Sequence, residues 1–131
     1  MSHFSRVKTQ VKNLVSLKAA LEDLGIEYEQ SQTLVRVRGW QGSEELAELC
    51  IKTGTQYDIG VRVMANGEYE LIADWWALEE HGVQQQSYIE RLTQRYAYHE
   101  VKSQAESQGF AVEEEQVEED GTIRLRVIAW R

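Results

Sequence analysis

Val11, Leu14, Val15, Leu17, Leu21 and Leu24 recur at helical spacing and predict a helix over residues 11 to 24, which Gly25 is placed to end in a left-handed conformation. Beyond it the period drops to two. Ile26 and Tyr28 alternate with Glu27 and Glu29, then Val35 and Val37 with Arg36 and Arg38, as half-buried strands do. These two strands are expected to pair across Gln30 to Thr33. The clearest alternation lies in Tyr57 to Met64 and Glu68 to Trp75, which flank Asn66-Gly67, a pair suited to the positive φ of a tight hairpin turn. A short strand over Leu46 to Lys52 precedes it, although Ser43 to Leu49 reads equally as one helical turn.

Ser87 and Glu90 have the spacing of a capping box, so a second helix is expected from there to about Gln108, before Gly109. Phe110 and Val112 open another strand, and Asp120-Gly121 supplies a turn. Ile123, Leu125 and Val127 then alternate with Arg124 and Arg126 ahead of Trp130. With Phe4 to Lys8 as a first strand, each half runs strand, helix, glycine and two strands, and ends on Trp40 or Trp130. This outline of a pseudo-repeat predicts an α+β two-layer sandwich, with two helices on one face of a mostly antiparallel sheet. A ferredoxin-like arrangement is one form of it, and a single domain over residues 1–131 is expected.

Composition narrows the classes. Of 131 residues, 42% are apolar and 27% charged, which fits a folded domain and excludes a low-complexity chain. Lys and Arg total 14 against 22 Asp and Glu, a formal charge of −8, so net repulsion disfavours nucleic acid. No apolar run is long enough for a membrane span, and the polar opening segment has no signal-peptide core, so the protein is expected to stay where it is made. Cys50 is the only cysteine, which rules out an intrachain disulfide; its apolar neighbours suggest a buried, inert thiol.

The charged and aromatic residues yield two candidate sites. On the expected hairpins, Glu27 and Glu29 face Arg36 and Arg38, and Glu113 or Glu115 faces Arg124 and Arg126. These are solvated ion-pair ladders or, functionally, a charged docking face. Trp75 and Trp76 are adjacent, so on an extended strand one enters the core and the other is left for a cleft or an interface. A pocket between the second helix and the loop after Trp76 is the alternative, with Arg95, Tyr98, His99 and Glu100 as its polar groups. Glu100 is the rule-breaking position, because the helical wheel puts it near Ile89 on the apolar side. The three histidines are too scattered for a metal site, and Glu113 to Asp120 lack calcium-loop spacing. No phosphate loop, nucleophile elbow or metalloprotease motif occurs, so neither catalysis nor a cofactor is expected. Outward strand positions carry Glu and Arg rather than stacking rings, against RNA recognition.

The segments Ser2-His3-Phe4-Ser5, Tyr57-Asp58-Ile59-Gly60, Tyr69-Glu70-Leu71-Ile72-Ala73-Asp74, Thr93-Gln94-Arg95-Tyr96-Ala97-Tyr98 and Gly121-Thr122-Ile123-Arg124-Leu125 resemble, in order, the hypothetical chloroplast reading frame thirty-five family. The resemblance spans nearly the whole chain, and Gln94 to Tyr98 is its most specific block. It implies a cyanobacterial cytoplasm, or a plastid stroma if the gene is plastid-encoded, and it brings a domain of unknown function rather than a mechanism. The reading at this level is a non-catalytic interaction or assembly factor that docks a protein through Trp75, Trp76, Arg36, Arg38, Arg124 and Arg126. A homo-oligomer through the same face is its lesser form, and a small-ligand binder or enzyme is the alternative.

Overall fold

The computed structural model describes residues 3–129, and of Glu114 the backbone alone; Trp130, the expected end of the second repeat, lies outside the described residues. The chain runs β1 (Ser5–Lys8), α1 (Leu14–Asp23), β2 (Tyr28–Glu29), β3 (Val35–Arg38), a 3₁₀ turn at Trp40–Gly42, β4 (Glu44–Ala47), β5 (Leu49–Lys52), β6 (Asp58–Val63) and β7 (Tyr69–Ala73). It continues through α2 (Trp75–Glu80), α3 (Gln85–Ser107), β8 (Phe110–Val117) and β9 (Ile123–Ala129). Five strands form an antiparallel sheet in the order β1-β7-β6-β5-β2, while β3–β4 and β8–β9 are separate two-stranded ribbons.

Strand alternation divides the main sheet into two faces. Leu49, Ile51, Ile59, Val61 and Leu71 point to the helices and pack with Leu17 and Leu21 of α1, Leu78 of α2 and Leu92 of α3. The opposite alternates, Cys50 and Ile72, meet Val37 and Ala47 of the β3–β4 ribbon in a second, smaller core. Gly60 lies between them, and a Cβ there would stand 2.7 Å from Val37 and 2.8 Å from Ile72. Only a residue without a side chain lets the ribbon come down on the sheet. The fold is therefore an α+β sandwich with its helices on one face, as the sequence predicts, and the ribbon adds a partial third layer.

Several local expectations are corrected. The strands at 28–29 and 35–38 do not pair with each other: Tyr28 lies opposite Ile51, and Arg38 opposite Glu44. A hydroxyl turn intervenes, with Thr33 N–H donating to Ser31 Oγ at 3.1 Å, and the chain leaves the sheet edge for the ribbon. All strand pairs in the main sheet are antiparallel and β8–β9 stands apart, so the ferredoxin-like order and the equivalence of the two halves are not realised. Helix α3 begins ahead of the expected capping box, and Ser87 Oγ donates to the Gln84 carbonyl instead. The tryptophan pair opens a helix, α2, whose first turn is capped by Asp74 accepting from Ala77 N–H at 3.3 Å. Both glycine hairpins do form. Gly67 and Gly121, at φ +87° and +89°, each donate back across a three-residue loop, to Met64 and Glu118.

Candidate functional site

The expected docking residues do not share one face. Trp75 is 4% exposed within the core, whereas Trp76, one position on, is 53% exposed on α2. Arg36 is exposed on the outer side of the ribbon, opposite Leu46. Arg38 is held down on the sheet: its Nε lies 2.9 Å from Asp58 Oδ2 and its Nη2 2.8 Å from Oδ1, while its backbone N–H donates to Oδ2 at 2.9 Å. Asp58 is completely buried, with Lys52 Nζ 3.6 Å from Oδ1. Burial alone would raise its pKa, but the Arg38 hydrogen bonds and the Lys52 charge outweigh that, and the carboxyl titrates below its ordinary range. Nearby, Arg62 lies 3.4 Å from both Glu45 and Glu70, so the ionic alternates tie the ribbon down instead of bathing in solvent. Arg124 and Arg126 belong to a different sheet and pair at 3.0 and 2.8 Å with Glu118 and Glu113.

The four residues of the expected pocket separate into two groups. Arg95 Nε lies 2.7 Å from Asp23 at the end of α1, its Nη1 bonds Glu115 of β8, and its guanidinium carbon stands 4.1 Å over the Tyr98 ring. His99 Nε2 meets the same Asp23 oxygen at 2.6 Å. The hydrogen bonds from Arg95 hold Glu115 below the usual carboxylate range. Asp23 is also lowered, because Arg95 and His99 outweigh its partial burial. This cluster is a polar clamp joining α1, α3 and β8. Glu100 turns the other way, accepting from Ser16 Oγ at 2.6 Å and from Asn13 Nδ2 and Tyr96 OH at 3.2 Å. Where a loop was expected after Trp76, α2 occupies the chain, and no pocket collects all four residues.

Ala97 and Val101 of α3 border two cavities. One, of about 410 Å³, lies between α3 and Ile123 and Leu125 of β9. Val101 in its wall is 52% exposed, and on the hairpin Phe110, Val117 and Val127 are 37%, 60% and 42% exposed. Strand register puts Phe110, Val117 and Val127 on the same side as Ile123 and Leu125, the side toward α3. These exposed apolar positions are missed by the sequence reading, although the hairpin's alternation calls for more cover than a single helix provides. The second cavity, of about 460 Å³, lies between α3 and residues 8–11 and includes Glu100 in its wall.

No helix among the described residues is long and apolar enough to cross a membrane. A family model described as "Protein of unknown function (DUF1257)" matches residues 20–126. Three relatives carry the name "Uncharacterized protein ycf35". That of Guillardia theta is 36% identical, covering 100% of this chain and 99% of its own length. Those of Cyanophora paradoxa and Pyropia yezoensis are 34% and 30% identical, over 100% and 99% of this chain and 99% and 98% of their own. No solved structure matches the chain.

Proposed function

The chain belongs to the ycf35 family of proteins of unknown function, and from that premise we propose a non-catalytic assembly factor of a cyanobacterial or plastid-type cell that docks a protein partner through the flank formed by α3 and the β8–β9 hairpin. The observation that carries this reading is the apolar strip on that flank. Val101 lines the groove, Val117 and Val127 stand on the hairpin face turned toward α3, and each of the three is more than two-fifths exposed. A two-stranded hairpin is marginal by itself, and this one is tied to the helix by a polar clamp at the edge of a thin apolar contact. Exposed apolar side chains rimmed by charge are the composition of an interaction surface.

The chemistry of the partner follows from the rim. Glu118, Glu119 and Asp120 lie at the hairpin tip, Glu118 paired there with Arg124, and the whole chain carries −8. An apolar ridge flanked by basic residues is the complementary surface. Trp76, exposed on α2, is a separate aromatic position and is not needed for this contact.

The test is co-purification from native cells with the wild-type chain, Val127→Glu, and Leu46→Glu on the ribbon's outer face. A charge on this apolar face of the hairpin is expected to reduce recovery of a specific partner by about tenfold or more, while Leu46→Glu leaves it unchanged. Undiminished recovery with Val127→Glu, in a chain whose circular dichroism and melting are those of wild type, removes this flank from consideration.

A further inference from the structure

We propose that the cavity between α3 and the β1–α1 connection, which shares Ala97 and Val101 with the groove of the partner-docking flank, is a binding site for a small apolar molecule that carries an ammonium group. The space measures about 460 Å³, within the range of small-molecule sites. Its apolar walls come from Val11, Ile89, Ala97 and Val101. The polar groups on those walls are largely satisfied within the protein. Thr93 Oγ1 donates to the Ile89 carbonyl at 2.7 Å, and Thr9 Oγ1 donates to the Tyr69 carbonyl at 2.6 Å while accepting from Val11 N–H at 3.1 Å.

Glu100 differs from these groups. Its carboxylate is half-buried and held by three neutral donors, Ser16 and Asn13 from the start of α1 and Tyr96 from one turn back on α3. Two of those donors are themselves fixed. Asn13 Oδ1 accepts from Val15 N–H at 2.9 Å, and Tyr96 OH accepts from Lys12 N–H at 3.0 Å. Neutral donors orient a carboxylate but leave its charge uncancelled. Among the described residues no Lys, Arg or His lies within ion-pair distance of Glu100, whereas Asp23, Asp58, Glu70 and Glu115 each have one; the buried Asp74 also has none, but it caps α2 and accepts from the backbone N–H groups of Trp40 and Ala77. An ionised carboxylate offers about four acceptor positions and three are occupied here, which leaves one for an N–H donor from the cavity. A cation on an apolar body would fill both deficits, the uncompensated charge and the empty apolar space. Lys8 is the one cation among the residues lining this cavity and forms no ion pair among the described residues, so it could compete for the place.

The experiment titrates the full chain with phenethylammonium chloride, and separately with 2-phenylethanol, following the backbone amides of Thr93 and Val101 by heteronuclear NMR. Saturable shifts with the amine are expected, with binding about tenfold weaker for the alcohol and for Glu100→Gln, as one charged hydrogen bond implies. Thr93→Phe, which keeps the carboxylate and fills the space, is expected to abolish the amine shifts, so the question stays answerable if Glu100→Gln folds poorly. Lys8→Met is expected to hold or raise amine affinity. Absence of saturation with the amine, equal affinity for the alcohol, undiminished binding to Thr93→Phe, or loss of binding in Lys8→Met would each overturn the assignment.

Discussion

The protein contains two free-standing hairpins, and they are fastened in opposite ways. The β3–β4 ribbon is docked by shape and by a buried charge: Val37 and Ala47 fit over Gly60, and Arg38 reaches a fully buried Asp58. The β8–β9 hairpin is docked by the Arg95 clamp at its edge and leaves Val117 and Val127 largely uncovered. Both obey the same alternation in sequence. The difference is what each meets, a flat sheet face that swallows its alternates in one case and a single helix too narrow to do so in the other. A ribbon of the first kind is architecture, and one of the second kind has surface left for a partner.

That contrast can be broken most severely at Asp58. Asp58→Ala leaves Arg38 without its carboxylate, while Lys52 keeps Glu29 at 2.6 Å, and should cost about 3 kcal/mol, toward the low end for a broken buried pair because Arg38 is itself partly exposed. Chemical denaturation measures it. The same residue sets an acid limit. Its folded pKa lies below the ordinary 3.8, so its stabilising contribution is full above that value and is lost as pH falls through the lower folded value. Stability measured below pH 4 should therefore fall less steeply in Asp58→Asn than in wild type, and equal slopes would refute the role given to the pair.

Next in size is Gly60→Ala. A methyl group 2.7 Å from Val37 forces the ribbon outward, and overpacking of this kind costs about 1–3 kcal/mol. The loss should appear as a lower melting temperature with faster amide exchange confined to β3 and β4. The smallest effect is at the clamp. Arg95→Ala removes a mostly surface pair cluster worth about 1 kcal/mol, so global melting should barely move while amides of β8 and β9 lose protection relative to the main sheet. Uniform loss of protection across the molecule would show instead that the hairpin is part of the main cooperative unit.

How much of this is readable from sequence depends on whether a contact is local. Alternation placed Val35 and Val37 on a buried side and Gly67 and Gly121 in turns, because both properties are decided within a few residues. It does not name the strand across the way. Arg36 and Arg38 are indistinguishable by period, and Asp58, twenty residues on, decides that one is pinned and the other free. The Trp75-Trp76 pair separates into a buried and an exposed ring whether the backbone is extended or helical, so burial was legible where the element was not. That Glu100 lies toward the apolar side follows from its helical wheel position only as one of two readings, the other being a stripe that drifts toward Ala97, Val101 and Gln104. The partners of Glu100 do not follow, since Ser16 and Asn13 come from another helix.

One consequence of the ribbon reaches the single thiol beneath it. Cys50 has no exposed surface, and its pKa is pushed up to about 12, first by burial and then by the neighbouring Asp58 charge. Alkylation needs a thiolate and an approach path, and the closed ribbon withholds both. Maleimide labelling of Cys50 should therefore time each lifting of β3–β4, giving the molecule an internal clock that reports one layer opening while the rest stays shut.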